Sequence, residues 1–275
     1  MDISQTMNSS FGGSTRYEAA MQAGAEFMNN FADYTGKLSR LGYVAFNTHG
    51  HKVFDLSPCG TRTQAAALAQ TMRDKTSPII NASGYDASHD RFTNMQAGLK
   101  MARDMLKDAT NRHKYVVFIS DGFPTTYVSS GYNGYDPYCT SGSNGSNGVF
   151  YDAVFNVHCD YGTSYSDTAA IKAREMAVSM KNQGINIFSI GVDVAGQTIK
   201  RYHDSIYKED GSKKVFSVVE RRKEASYYNS TGYEIGTLHS QITKANPTAA
   251  EQTAMAQDFK NWLKGSTNSG IGSGY

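Results

Sequence analysis

Two spacings of apolar residues alternate along the chain and predict an α/β architecture. Apolar positions recurring every three or four residues predict helices at about 15–39, 63–73, 95–106, 167–183 and 248–262. Short apolar runs predict strands at 43–46, 52–56, 115–119 and 185–192. We also expect a short helix at 197–203 and an edge strand at 226–229.

The order of these elements predicts the kind of sheet they form. Strands that alternate with helices imply a doubly wound, mostly parallel central sheet with helices on both faces. Such sheets bind ligands beyond the carboxyl ends of the strands, where the strand order reverses. We therefore expect a functional site in the loops that follow strands.

Composition is consistent with one large domain and disfavours several classes of protein. A chain of 275 residues with 39% hydrophobic residues is long enough to bury a core. Its 27 basic and 25 acidic residues give a net charge of +2, which does not indicate a surface that binds nucleic acid. No apolar run approaches the ~18 residues of a membrane span, and no signal peptide is visible.

Three loops of the expected kind carry oxygen ligands. Asp2, Ser4 and Thr6 alternate with other residues ahead of a helix, so one side of that loop bears a carboxylate and two hydroxyls. Thr93 lies at a helix start, and Asp121 follows the most apolar strand. Two carboxylates and three hydroxyls suit Mg²⁺, with Mn²⁺ or Ca²⁺ as alternatives. Zinc is disfavoured because no Cys/His cluster has ligand spacing.

Each of these pieces alone has a plainer explanation. An aspartate or serine ahead of a helix is most often a cap. An Asp-Gly pair after a strand is most often a turn. The metal-site interpretation depends on all three loops occurring in order, each at a strand end or a helix start.

The pattern Asp2-x-Ser4-x-Thr6, then Thr93, then Asp121-Gly122 resembles the metal-ion-dependent adhesion site of von Willebrand factor A domains. The runs at 115–125 and 187–192 resemble that family's fourth and fifth strands. The resemblance implies a strand order of 3-2-1-4-5-6. It also implies that Asp2, Ser4 and Thr6 hold the metal, that Thr93 is a ligand or a water-mediated partner, and that Asp121 acts through water.

The resemblance implies an extracellular adhesion domain of a bacterial surface or pilus-associated protein. Such a domain binds a protein or glycan ligand with an acidic group through its cation, and its partners include the pilus or further domains of a longer protein. The sequence shows no combination of a nucleophile, a general base and a residue that orients the base, so we expect no catalysis. One alternative is an intracellular domain of the same fold in a chelatase or AAA-type ATPase assembly. Another is a hydrolase with Asp2 as nucleophile, which needs an aspartate where Ser4 stands.

The ends of the chain depart from the family's pattern. The family's first strand precedes its first aspartate by several residues, whereas only Met1 does so here. We therefore expect a piece of a longer protein, with the domain at 1–264 and its first strand truncated. The alternative is that another segment fills the place of that strand. The Gly/Ser-rich tail at 265–275 is typical of a linker. We expect the metal site to lie at the surface.

A long insertion at 124–165 follows the strand that leads to Asp121. Strand-to-helix connections usually take about two to six residues. Tyrosines among glycine, serine and asparagine are typical of adaptable binding loops, so we expect the insertion to contact the ligand. The tyrosines assigned to ligand binding are Tyr127, Tyr132, Tyr135 and Tyr138. A linker without function is the alternative.

Three cysteines are too few for a disulfide scaffold. Cys139 and Cys159 bracket the Gly/Ser/Asn/Tyr-rich stretch, and the surrounding composition is typical of extracellular proteins. We expect a disulfide between these two and a free thiol at Cys59. Three unpaired thiols in a reducing compartment are the alternative.

Overall fold

A mixed α/β structure is built from helices and strands that alternate along the chain. The computed structural model describes residues 1–36, 38–81, 92–110, 113–122, 124, 164–165, 167–194, 200–207, 213–215, 257, 260–268 and 270–274. Its helices are α1 (Arg16–Tyr34), α2 (Arg62–Asn81), α3 (Met95–Lys107) and α4 (Asp167–Asn182). Its strands are β1 (Ser10–Phe11), β2 (Ser14–Thr15), β3 (Arg40–Phe46), β4 (Gly50–Pro58), β5 (Lys114–Ser120), β6 (Ser164–Tyr165), β7 (Ile185–Gly191), β8 (Lys200–Tyr207) and β9 (Lys213–Val215).

The central sheet joins two pairs of strands through the first residues of the chain. β3 and β4 form an antiparallel hairpin, and β5 pairs with β7 in parallel. The amide of Asp2 donates to the carbonyl oxygen of Ile119 at 2.8 Å, and that of Ile3 donates to Phe46 at 2.7 Å. The order is therefore β4, β3, residues 1–3, β5 and β7, which corresponds to the first five strands of the expected arrangement.

Buried side chains form one apolar cluster on each face of this sheet. Phe118 belongs to the cluster that includes side chains of α3 and α4, whereas Ile119 belongs to the cluster that includes side chains of α1 and α2. Successive residues of β5 thus point to opposite faces, as a strand requires. Helices cover both faces, and the predicted fold class is confirmed.

Local signals set the starts of α1 and α3. Thr15 and Glu18 form a capping box at the start of α1, and the Asn94 side chain accepts a hydrogen bond from the Ala97 amide at the start of α3. A Cβ atom at Gly98 would meet the Phe46 ring at 2.5 Å. The glycine therefore lets α3 lie directly on the end of β3, where the candidate site is.

The expected short helix at 197–203 is wrong where the structure describes it. Residues Lys200–Tyr207 form strand β8, which pairs with β9 and with β6. β9 follows β8 after five residues, whereas β6 lies far upstream in the sequence, so local periodicity could not reveal the pairing with β6. The edge strand expected at 226–229 lies outside the described residues, and of the final helix only 257 and 260–264 are described as helical.

The C-terminal tail packs on the domain, which corrects our expectation of a linker. Ile271 is completely buried in the cluster beside α4. The amide of Ser273 donates to the carbonyl oxygen of Ile187 at 2.8 Å, so the tail lies along the free edge of β7. The Lys181 ammonium donates to the carbonyl oxygens of Ser266 at 2.6 Å and Gly272 at 2.9 Å. The described residues between 265 and 274 are thus part of the folded domain.

None of the described helices is long and apolar enough to cross a membrane.

Candidate metal site

Asp2 lies at the carboxyl edge of the sheet, with both of its carboxylate oxygens engaged. Its side chain is completely buried. Oδ1 accepts a hydrogen bond from the amide of Ser4 at 2.8 Å, and Oδ2 accepts one from the Ser120 hydroxyl at 2.6 Å. Ser120 is the last residue of β5, so the end of that strand fixes the orientation of the carboxylate.

A chain of hydroxyl groups connects the first loop to Asp121. The hydroxyl oxygens of Ser4 and Thr6 are 3.2 Å apart, and the Thr6 hydroxyl donates to Oδ1 of Asp121 at 2.9 Å. Asp121 and Ser4 are buried, whereas Thr6 is exposed. The structure therefore brings Asp2, Ser4, Thr6 and Asp121 together, with Thr6 on the solvent side.

Thr93 lies at the same edge of the sheet and is 4% exposed. The amide of Phe92 donates to the Thr48 hydroxyl at 3.3 Å, and that of Asn94 donates to the carbonyl oxygen of Asn47 at 2.8 Å. Asn47 directly follows Phe46, the residue of β3 that forms a parallel bridge with Asp2. The turn after β3 thus holds Thr93 near the first loop.

The expectation of a surface site is wrong for the carboxylates. Asp2 and Asp121 are both 0% exposed. Among the five predicted metal-site residues, Thr6 alone is exposed. Burial, and then the charge of Asp121, raises the pKa of Asp2 to about 7. Burial also raises the pKa of Asp121, although hydrogen bonds from Thr6 and Arg16 oppose this. The two carboxylates are therefore costly to ionise together. A bound divalent cation would stabilise their charged forms.

Arg16, Asp193 and Ser120 also belong to the site, although the sequence patterns did not single them out. The Arg16 guanidinium donates to Oδ2 of Asp121 at 2.9 Å and to Oδ2 of Asp193 at 2.6 Å. Two signals could have identified this pair. A cation at the first position of a helix opposes the helix dipole and so suggests an acidic partner. Asp193 also follows a predicted strand, as Asp121 does.

The donor set matches a hard cation bound by oxygen. In the described part of the chain, no group of three or more His, Cys, Asp or Glu side chains could hold a metal ion. The candidate site instead combines two carboxylates with hydroxyls. Small cations of the Mg²⁺ type need few carboxylates and retain waters, whereas zinc prefers nitrogen and sulfur. The residues therefore fit Mg²⁺ in chemistry.

Several predicted residues lie outside the described part of the chain. They are Tyr127, Tyr132, Tyr135, Tyr138, Cys139 and Cys159. Ligand binding by the insertion and the disulfide remain predictions. Cys59 is buried and free, as expected.

Comparison with known families gives a match for the first part of the chain. Residues 1–123 match the family model of the von Willebrand factor type A domain. This stretch contains all five candidate metal-site residues and the strands that carry them. The match agrees with the resemblance that the sequence pattern indicated. No curated protein matches the chain.

Among the solved structures with a similar arrangement are three proteins of bacterial pili. One is the PilB minor pilin from Streptococcus sanguinis, at 16% identity and a TM-score of 0.43, which covers 94% of this chain and 58% of that chain. Another is the vWF domain of the type V pili tip protein Mfa5 from Porphyromonas gingivalis, at 16% identity and a TM-score of 0.43, covering 90% and 96%.

A third similar structure is the pilus adhesin SpaC from Lactobacillus rhamnosus GG, at 14% identity and a TM-score of 0.43, covering 94% of this chain and 28% of that one. This chain therefore spans little more than half of the PilB minor pilin and less than a third of SpaC. At TM-scores this low, these likenesses carry no functional conclusion.

Proposed function

We propose that this domain binds ligands through a divalent cation and serves adhesion in a bacterial surface or pilus-associated protein. The observation that carries the proposal is the buried pair Asp2 and Asp121, linked through the hydroxyls of Ser4 and Thr6 to the solvent side of the site. Asp2, Ser4, Thr6, Thr93 and Asp121 would hold Mg²⁺, or Mn²⁺ or Ca²⁺ in its place. The bound cation would supply an electrophilic contact for an acidic group.

The choice of hydroxyl ligands favours an anionic partner. Neutral oxygens complete a coordination shell without adding charge, so the cation keeps more of its attraction for an incoming carboxylate. The exposed hydroxyl of Thr6 marks the side from which such a group can approach. A protein or glycan that presents an acidic group is therefore the proposed ligand.

We propose binding rather than catalysis at this site. A hydrolase of the alternative kind would use Asp2 as a nucleophile. Both carboxylate oxygens of Asp2 are held by hydrogen bonds, and the side chain is buried. This arrangement suits a fixed anion that supports a cation and gives a substrate no access to the carboxylate.

The proposed setting is the cell surface. The chain is rich in tyrosine and glycine, with 18 and 26 residues, and only 19% of its residues are charged. We propose a disulfide between Cys139 and Cys159 for the same setting, and further pilus domains of a longer protein as partners. The insertion, which begins next to Asp121, would then select the ligand.

The function is tested with a purified domain immobilised on beads and presented to a glycan array and to a panel of extracellular-matrix proteins. We expect retention on at least one surface in Mg²⁺ and none in EDTA. The Asp121→Asn variant should lose the retention, whereas Asp55→Asn, an exposed aspartate paired with Lys52, should keep it. Equal retention in Mg²⁺ and EDTA would refute cation-dependent adhesion.

A further inference from the structure

Arg16 is a charged residue built into the candidate metal site. Its guanidinium donates from Nη1 to Oδ2 of Asp121 at 2.9 Å, and from Nε and Nη2 to Oδ2 of Asp193 at 3.0 and 2.6 Å. The Arg16 side chain is 13% exposed and that of Asp121 0%. The ion pair is therefore largely shielded from solvent, which makes it stronger than a surface pair.

Local structure alone does not favour this position for arginine. Arg16 is the first residue of α1, where the helix dipole disfavours a cation by about 0.3–1 kcal/mol. Asp193 adopts a φ of 48°, a left-handed conformation that is uncommon outside glycine but that aspartate tolerates better than most residues. The contact with Asp121 and Asp193 offsets the unfavourable place of the arginine at the helix start.

The hydrogen bonds divide the two oxygens of Asp121 between two partners. Oδ2 contacts Arg16, and Oδ1 contacts the hydroxyl of Thr6. The arginine therefore holds the carboxylate through Oδ2. The other oxygen, Oδ1, lies on the side of the proposed ligands Thr6 and Ser4. Arg16 is not itself a donor of electrons to a metal, because a guanidinium has no free lone pair.

We propose that Arg16 is the fixed countercharge of the metal site. This inference rests on the proposed function. Asp2, Asp121 and Asp193 carry three negative charges when ionised, and Arg16 carries one positive charge. A divalent cation would bring this group to neutrality, so the loaded site would not repel an acidic ligand. Without a cation, Arg16 keeps Asp121 paired and the loops assembled.

The two roles predict opposite effects of Arg16→Gln. The metal-free variant should be less stable, because Asp121 and Asp193 lose their shared partner. Its affinity for Mg²⁺ should rise roughly tenfold, because one positive charge that repels the cation has gone. Arg16→Lys keeps the charge but not the fork that reaches both carboxylates, so its Mg²⁺ affinity should stay close to the wild type.

The test measures Mg²⁺ binding by calorimetry and melting in EDTA for the wild type, Arg16→Gln and Arg16→Lys. Arg62→Gln is the matched control, because Arg62 at the start of α2 forms an exposed forked pair, at 2.7 Å, with Asp33 of α1. We expect it to leave Mg²⁺ affinity unchanged. Arg16→Gln should melt at a lower temperature in EDTA and bind Mg²⁺ more tightly.

The outcomes separate this inference from the proposed function. If the wild type binds no Mg²⁺, the proposed function is overturned and the role of Arg16 with it. If the wild type binds Mg²⁺ and Arg16→Gln binds it equally or more weakly, only the countercharge role is overturned. Equal tightening in Arg16→Lys, or an unchanged melting temperature of Arg16→Gln in EDTA, would overturn it as well.

Discussion

The hydroxyl of Thr6 donates a hydrogen bond to the carboxylate of Asp121 across 2.9 Å, although the two residues are 115 positions apart. This bond closes the candidate site, since Thr6 belongs to the loop that begins at Asp2 and Asp121 follows β5. The sheet makes it possible by placing residues 1–3 directly beside β5. The proposed chemistry of the domain therefore depends on this strand arrangement.

The Ser120 hydroxyl fixes the buried carboxylate of Asp2, so its removal should weaken the site. Ser120→Ala leaves Oδ2 of Asp2 without the 2.6 Å bond and should cost about 1.5–3 kcal/mol of unfolding free energy. Urea denaturation in EDTA measures this cost. Ser57→Ala, which removes a hydroxyl bonded to a backbone oxygen near the surface, should change the unfolding free energy by much less. Equal losses in both variants would contradict the role of Ser120.

The C-terminal tail should contribute to stability, because it fills part of the core beside α4. Ile271→Ala removes a completely buried side chain and should cost about 2–5 kcal/mol. The exposed Thr267→Ala in the same tail is the matched control and should be nearly neutral. Chemical denaturation measures the unfolding free energy of both variants. If the tail were a linker, neither substitution would change that free energy.

His51 should make the fold sensitive to mild acid. Burial lowers the pKa of His51 to about 4 from its ordinary 6.5, and its ring nitrogen lies 3.0 Å from the Asn47 side-chain oxygen. Between these two pH values the unfolded chain binds the proton that the folded chain refuses, so stability falls as pH falls from 6.5 to 4. The loss reaches at most about 3 kcal/mol.

The measurement for His51 is the unfolding free energy of the wild type and of His51→Gln across pH 4 to 7. The variant should lose less stability than the wild type on acidification, because glutamine does not titrate. Parallel curves for the two proteins would show that another group causes the acid sensitivity.

The insertion should select the ligand without holding the metal. Replacement of residues 125–163 by a short Gly-Ser turn should leave Mg²⁺ affinity intact, because the five proposed metal-site residues lie outside this stretch. Retention on the surface that the wild-type domain recognises should be lost. Calorimetry and the bead assay measure the two effects separately. Undiminished retention would assign specificity to the loops around Thr6 and Thr93.

Local sequence patterns were sufficient for most of the sheet and its covering helices. The apolar run at Lys114–Ser120 and the periodicity of Met95–Lys107 both predicted the elements that form there. The packed tail was missed because its partners are distant in the chain, and the strand Lys200–Tyr207 was missed because its spacing predicts a helix, although one partner, Lys213–Val215, is close in sequence. No local window contains the contact between Ser273 and Ile187.

The proposed ligands of the candidate site could be predicted from the sequence, but the residues that hold those ligands in place could not. Oxygen side chains that alternate ahead of a predicted helix identified Asp2, and the position after a predicted strand identified Asp121. The pair between Arg16 and Asp193 spans 177 positions, and only the folded sheet brings these residues together. Burial of the carboxylates was also invisible to the sequence, because it arises when the loops close over the strand ends.

Isothermal titration of the metal-free domain with Mg²⁺ tests the central claim most directly. The account predicts saturable binding of one ion by the wild type and at least a tenfold weaker affinity in Asp121→Asn, which removes a charged group of the site. The exposed Asp55→Asn should bind as the wild type does. Absence of binding by the wild type, or equal affinity in wild type and Asp121→Asn, would contradict a cation site at the edge of this sheet.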